Sequence, residues 1–389
     1  MTPFASWGFF LWLPVPLVPA LVVGLLGRGD KFRRWLVTLS SLFMLYIVLR
    51  PSVGALAQAV GFVVYSWILV RVYLVCRKGT GKKLRAYSLI LFASLLPLAL
   101  VKLNPYLKLD IWHSTIGFLG ISYLTFRIVG TIIDIRDGLI EKVDFLDFVA
   151  FVLFFPTLAS GPIDRFRRFK ADLYKPLPAG EYLRYLSNGM HHIMRGFLYK
   201  YILAYLINKY WLAPLNHVFG VWPTLSYMYA YGFYLFFDFA GYSAFAVGVG
   251  QIMGIDVPEN FKRPFLAENI KDFWGRWHIS LSFWFRDYIY MRFVLKSVKE
   301  KRFKQKTTAS YLGYLLNFGL MGMWHGLHLQ YILYGLYHAC LMSGYEFVKH
   351  RFKLNSPHKG LLWRSVSIII TFNLVMFGFL IFSGRLCSN

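Results

Sequence analysis

The sequence predicts an all-α polytopic membrane protein, on three observations. Hydrophobic residues fill 57% of 389 positions and charged residues only 16%, too apolar a balance for a soluble globular chain. The apolar residues gather in runs close to the roughly 20 residues a spanning helix needs. Lys and Arg outnumber Asp and Glu by 43 to 18, and the surplus sits between the runs, where topology is set.

Taken in order, the runs are Gly8–Leu26, Trp35–Leu49, Gly54–Val75, Tyr87–Val101, Trp112–Ile133, Phe145–Leu158, Met190–Ile207, Val221–Phe237, Phe239–Ile255, Ile279–Val294, Ser310–Met323, Leu329–Phe347 and Val366–Phe382. Several are short, so about ten to twelve are expected to span. The short ones, and those broken by Gly, Pro or charge, read either as tilted spans or as half helices, which survive at membrane depth only where protein or a water-filled cavity satisfies the backbone. The first run is followed at once by Arg28-Gly29-Asp30-Lys31 and reads as an uncleaved first span. With no repeat or low-complexity linker, 1–389 is taken as one membrane domain, with N-terminal helices over 1–110 and the polar, motif-bearing part over about 115–345.

Basic clusters at Arg28–Arg34, Arg71–Arg85, Arg165–Lys175, Arg292–Lys306 and Lys349–Arg364 belong on the cytoplasmic face by the positive-inside rule. That puts the N-terminus outside and makes Pro51-Ser52 an external turn. Such a surplus can serve only orientation and contact with anionic membrane lipids, or it can also dock an acidic cytosolic partner. It does not describe a nucleic-acid site, because it flanks apolar spans and not a groove with stacking aromatics. The cysteines Cys76, Cys340 and Cys387 frame neither a disulfide scaffold nor a zinc site. Between Val257 and Phe283 the chain is too charged to span yet carries aromatics every few residues. It reads as an amphipathic helix at the cytoplasmic interface, with Glu268 and Asp272 on one face, or else as a solvated loop.

Two histidines stand out because ionisable groups at membrane depth cost about 2.5–3.5 kcal/mol and need a reason. His278 lies in Phe273-Trp274-Gly275-Arg276-Trp277-His278-Ile279-Ser280, and His325 in Gly322-Met323-Trp324-His325-Gly326-Leu327-His328. A neutral imidazole in a dry cavity is a competent general base for attack of an alcohol on a thioester or ester. His325, between glycines that permit close backbone approach, is the better base, and His278 the residue that orients the acceptor or shares the proton. Trp274, Trp277, Trp284 and Trp324 crowd the same segments, as the wall of a tunnel would. Candidate substrate contacts are Trp274, Trp277, Ser280, Trp324 and Asp238, although Ser280 and Ser282 can equally bond the backbone of their own helix. Other readings stay open: a metal site of His278, His325 and His328, a structural pair of histidines, or a proton relay including Asp238 and Asp287. The first lacks H-E-x-x-H and any matching carboxylate or Cys, so no metal is assigned. No phosphate loop, G-x-S-x-G elbow or dinucleotide fingerprint is present, which argues against direct ATP or nicotinamide chemistry.

Gly120-Ile121-Ser122-Tyr123-Leu124-Thr125-Phe126-Arg127, Phe154 through Ile163, Phe237-Asp238-Phe239-Ala240-Gly241-Tyr242-Ser243, Asn260-Phe261 through Ser280, and Met323-Trp324-His325-Gly326 follow one another in an order that resembles the membrane-bound O-acyltransferases. Gly161-Pro162-Ile163-Asp164-Arg165-Phe166, a His at 278 and the short chain are similar to the branch that passes D-alanine toward teichoic acids. The resemblance implies a ring of helices around a thin central tunnel, His325 as the family's histidine and His278 as the second polar site. It implies no bound cofactor. The donor would be a D-alanyl thioester on the phosphopantetheine arm of a small acidic carrier protein in the cytosol, and the acceptor an extracellular teichoic acid or an intermediate membrane protein. The acidic carrier would then dock on Lys262, Arg263, Lys271, Arg276 and Arg292. The alternatives are an O-acetyltransferase of an exported polysaccharide and a transporter or flippase for an anionic wall precursor.

Overall fold

A computed structural model describes residues 2–77, 83–107, 120–352 and 360–387. Residues 78–82 and 353–359 of two basic clusters, and the start of the run predicted from Trp112, lie outside the described residues. Among the described residues every regular element is helical, with one isolated antiparallel bridge between Phe261 and Trp277. Helices satisfy their own backbone groups, which is what an apolar solvent demands. Six of them are long and apolar enough to cross a membrane: Trp7–Leu25, Phe32–Leu49, Val53–Cys76, Arg85–Tyr106, Val221–Ile252 and Leu361–Phe382.

By its contacts the chain divides into two compact units. The first comprises Met1–Gly196 and Tyr242–Pro258. Its long helices turn apolar side chains such as Val18, Val22, Val64, Ile68, Leu89 and Phe92 outward, as lipid-facing helices do. The turn after Pro51 restarts the chain with Ser52 as N-cap, its hydroxyl accepting from the Ala55 N–H at 3.2 Å. The run predicted over Phe145–Leu158 is not a span. Asp144 caps a helix of only eight residues, Phe145–Val152, and a short 3₁₀ turn at Phe155–Thr157 follows.

Arg127 explains why that half helix can stop inside the protein. Its buried guanidinium donates to the carbonyls of Phe151 and Val152, each at 2.8 Å, and to both the carbonyl and the hydroxyl of Thr157. Orphan carbonyls at a helix end are thus met by charged donors. Gly120 has a φ of 98°, and a Cβ there would sit 2.6 Å from the Leu158 carbonyl oxygen. The first two motifs therefore hold one buried turn together. Beside it, Arg168 grips Asp164 and Asp172 from the amphipathic helix Phe166–Tyr174 and reaches the backbone carbonyl of Asp256.

The second unit comprises Phe197–Gly241 and Glu259–Asn389. The runs predicted as Val221–Phe237 and Phe239–Ile255 are one continuous helix, Val221–Ile252, whose residues through Gly241 belong to this unit. Asp238 does not break it, because Lys200 neutralises the carboxylate. Gly241 lets the backbone at Lys200 come close, since a Cβ would lie 2.8 Å from the Lys200 nitrogen. Helices Lys306–His325 and Leu329–Arg351 form an antiparallel pair of the same kind: a Cβ on Gly322 would strike the Tyr331 carbonyl, and one on Gly335 the Phe318 carbonyl. Small residues at such a crossing are how membrane helices gain packing contact.

The polar stretch after Val257 is not the amphipathic helix its spacing suggested. Pro258 and Pro264 interrupt it, Arg263 takes a left-handed φ of 47°, and before the helix that starts at Ile279 it forms only a 3₁₀ turn at Pro264–Leu266 and a short α-helix at Ile270–Trp274. Asn269 caps that turn through Asp272 N–H at 2.9 Å, and the Glu268 N–H donates to the Asp272 carboxylate at 3.1 Å.

Candidate active site

The second unit encloses a small chamber of about 60 Å³ whose wall contains both His278 and His325. The rest is nearly all apolar or aromatic: Leu235, Phe239, Trp274, Trp277, Leu281, Met321, Tyr334, Phe379 and Phe382. So apolar a wall lowers the local dielectric, which strengthens any hydrogen bond or charge interaction made within it.

His278 is placed by a two-sided clamp. Phe261 bridges Trp277, the Lys262 N–H donates to the Arg276 carbonyl at 3.0 Å, and the Ile279 N–H donates to the Asn260 carbonyl at 3.0 Å. The side-chain carbonyl of Asn260, wholly buried, accepts from the Ser280 hydroxyl at 2.6 Å and from the Ser280 N–H at 3.2 Å. With both flanks fixed, His278 sits at a φ of 43° as N-cap of Ile279–Phe285. A left-handed histidine is a strained conformation that surrounding structure must impose, and such positions gather at functional sites. The ring, 4% exposed, stands edge-on to Phe239 at 4.7 Å, and its Nδ1 has no hydrogen-bond partner among the described residues.

His325 ends helix Lys306–His325, and the chain turns away at Gly326. Gly326 is required there, since a Cβ would lie 2.6 Å from the Tyr331 ring. Phe382 meets the imidazole edge-on at 4.9 Å, and Trp324 packs on it at 4.6 Å. His325 is half-buried, so one side of the ring remains within reach of a substrate entering the chamber.

Trp274 and Trp277 stand in the chamber wall, but three other predicted substrate contacts do not. Trp324 buttresses His325 from outside that wall, Ser280 spends its hydroxyl on Asn260, and Asp238 is ion-paired with Lys200. Ser282 follows the local alternative, donating to the Trp277 carbonyl at 3.0 Å. His328 is exposed and caps helix Leu329–Arg351, away from the two chamber histidines' wall. Asp287, the other relay candidate, receives Arg286 at 2.7 Å.

A larger cavity of about 730 Å³ lies against the same partition, since Trp274 and Met321 line both spaces. Its walls include Lys271, Arg286 and Lys349 beside Tyr290, Tyr314, Asn317 and Phe318. Of the predicted docking residues, Lys262, Arg263 and Lys271 are exposed; Arg276 is held by Asp272 at 2.7 Å and Arg292 stacks over Tyr288 at 5.7 Å.

Sequence reasoning missed His338. His338 is fully buried, packs edge-on to Trp274 at 5.0 Å and to Tyr334 at 4.6 Å, and neither ring nitrogen has a partner among the described residues. The signal was available, because His338 also interrupts an apolar run.

Residues 121–387 match the membrane-bound O-acyltransferase family. The chain is 45% identical to the teichoic acid D-alanyltransferase of Bacillus subtilis (strain 168), the match covering 99% of this chain and 98% of that protein. It is 40% identical to the teichoic acid D-alanyltransferase of Lacticaseibacillus rhamnosus over 99% and 98% of the two chains. A probable alginate O-acetylase of Pseudomonas fluorescens is 33% identical over 69% of this chain and 51% of its own length.

Proposed function

The chain belongs to the membrane-bound O-acyltransferase family, and from that premise we propose that it transfers D-alanine to teichoic acid, with a carrier-protein thioester as donor and His325 as general base. The observation that carries the chemistry is the convergence of His278 and His325 on one nearly apolar chamber. Neutral His325 removes the proton of the acceptor hydroxyl as its oxygen attacks the thioester carbonyl. The tetrahedral oxyanion collapses, the carbon–sulfur bond breaks as the ester forms, and the imidazolium returns its proton to the departing thiolate. His278, locked by the Asn260 clamp, orients the hydroxyl or its proton. Trp274 and Trp277 shape the slot and keep water from competing for the thioester.

Supporting D-alanine over acetate is the extent of likeness. The D-alanyltransferases align from end to end, whereas the probable alginate O-acetylase aligns over part of each chain. The larger cavity supports a donor arriving on a long arm: it has room for an extended chain, carries basic residues on its wall, and shares the wall residues Trp274 and Met321 with the histidine chamber. The donor group would be a phosphopantetheine thioester borne by an acidic cytosolic carrier, docked on the exposed Lys262, Arg263 and Lys271 with help from Arg276 and Arg292. In this reading the protein lies in the cell membrane with its N-terminus outside, and the acceptor, a teichoic acid or an intermediate membrane protein, approaches from the outer face.

The test is transfer of radiolabelled D-alanine from a loaded carrier protein to membrane acceptors by wild type, His325→Ala and His278→Ala at matched expression. Loss with His325→Ala and weakening with His278→Ala are expected. Transfer indifferent to both changes, or activity that follows a proton gradient without a thioester, would favour a transporter.

A further inference from the structure

Trp274 and Met321 wall both the histidine chamber and the larger cavity, and the two side chains are held differently. Trp274 ends the capped turn Ile270–Trp274 and is boxed by rings: Phe273 at 5.6 Å, Phe318 at 5.0 Å and His338 at 5.0 Å between centroids. Met321 is unbranched, with three rotatable side-chain bonds and a polarizable thioether, the residue type that adapts most readily to the space around it. It borders both spaces yet is only 2% exposed, so its side chain is packed into the partition and closes it.

The backbone that carries Met321 is fixed. Gly322, the next residue, lies so close to the Tyr331 carbonyl that a Cβ would be 2.4 Å from its oxygen, and Gly335 meets the Phe318 carbonyl in the same way. With the two helices locked at this crossing, room for an acyl group has to come from the Met321 side chain. Met321 also precedes His325 by four residues on helix Lys306–His325, one turn away on the same face. The chamber holds about 60 Å³ against about 730 Å³ for the larger cavity, so only the acyl end of a donor can be accommodated beside the base.

We propose that Met321 is a specificity-determining residue that reads the size of the transferred group, admitting an aminoacyl unit whose side chain is a methyl and excluding longer ones. This rests on the D-alanyl transfer reading above and adds to it the residue that sets the upper limit of size. The thioether takes no part in bond making; it is a steric stop between the larger cavity and His325. In a hydrophobic pocket one methylene too many is worth about tenfold or more in discrimination.

The test compares D-alanyl, D-2-aminobutyryl and D-norvalyl thioesters on the same carrier protein, whose side chains lengthen by one methylene at each step, using the full-length protein in membranes. Wild type is expected to prefer D-alanyl over D-2-aminobutyryl by about tenfold or more. Met321→Ala, which removes the stop, is expected to lower that ratio by about tenfold and to bring D-norvalyl transfer into range, whereas Met321→Leu, of similar volume, keeps the preference. The ratio is the readout because a general loss of fold or of His325 geometry would not move it. An unchanged ratio in Met321→Ala, or equal loss on all three donors in the folded variant, overturns the proposal. If the alanine variant does not fold, Met321→Val decides, and a ratio equal to that of wild type overturns the proposal. Wild-type protein that uses all three donors alike also overturns it. Wild-type protein that uses none of them refutes the D-alanyl reading itself, an outcome distinct from loss of discrimination and one that removes this inference with it.

Discussion

The side-chain carbonyl of Asn260 accepts two hydrogen bonds from Ser280, one from its hydroxyl at 2.6 Å and one from its N–H at 3.2 Å. Because the Asn260 backbone carbonyl also takes the Ile279 N–H, one asparagine holds the chain immediately after His278 at three points. The strained histidine conformation depends on this grip.

Asn260→Leu should therefore impair transfer before it unfolds the protein. We expect at least a tenfold fall in D-alanyl transfer, with destabilisation of about 1–3 kcal/mol from the orphaned Ser280 groups. Thermal melting in detergent, measured alongside transfer, separates the two effects; full activity in a folded Asn260→Leu variant would show that the clamp does not set the His278 geometry.

In the roles proposed above, His325→Ala removes the general base and should lower transfer by about a hundredfold or more, the usual worth of general-base catalysis. His278→Ala should cost less, since it positions and does not abstract. Carrier binding should survive both changes, and pull-down of the loaded carrier alongside the transfer assay checks this.

Arg127→Lys should destabilise the first unit despite keeping the charge. An ammonium cannot match the planar fork that reaches the Phe151, Val152 and Thr157 carbonyls. A loss of about 2–4 kcal/mol is expected from the buried acceptors left bare, read as a lowered melting temperature or reduced yield of folded protein.

Gly322→Val should fail to accumulate as folded protein, because the new side chain meets the Tyr331 carbonyl and lies within 3.3 Å of the Gly335 Cα. Gly319→Ala, one turn earlier where a Cβ meets nothing within 4 Å, should be tolerated. Size-exclusion profiles of the two variants provide the comparison.

Reversing Lys262, Arg263 and Lys271 to Glu should slow carrier association by about tenfold at low ionic strength and much less at high salt, since steering charges act mainly on the encounter rate. Association measured across a salt series tests this. An unchanged rate at low salt would place the dock elsewhere.

Composition and run length were enough to specify helices in a membrane, because a lipid solvent leaves few ways to satisfy a backbone. His278, His325, Trp274 and Trp277 were legible for a related reason: polar or bulky groups in apolar surroundings are conspicuous one residue at a time. What periodicity could not convey was which residues meet. Asp238 looked like a break in a span until Lys200, 38 positions away, was found beside it, and Ser280 looked like a substrate contact until Asn260 took its hydroxyl. The half helix at Phe145–Val152 was readable only as a short run, since its end is stabilised by Arg127 from another helix. Amino-acid types and local spacing thus determined the solvent, the helical class and the candidate base, but not where each helix begins and ends. Only tertiary packing decided that the two histidines share one chamber and that Trp274 and Met321 also wall the neighbouring cavity, because both depend on contacts between residues far apart in the chain.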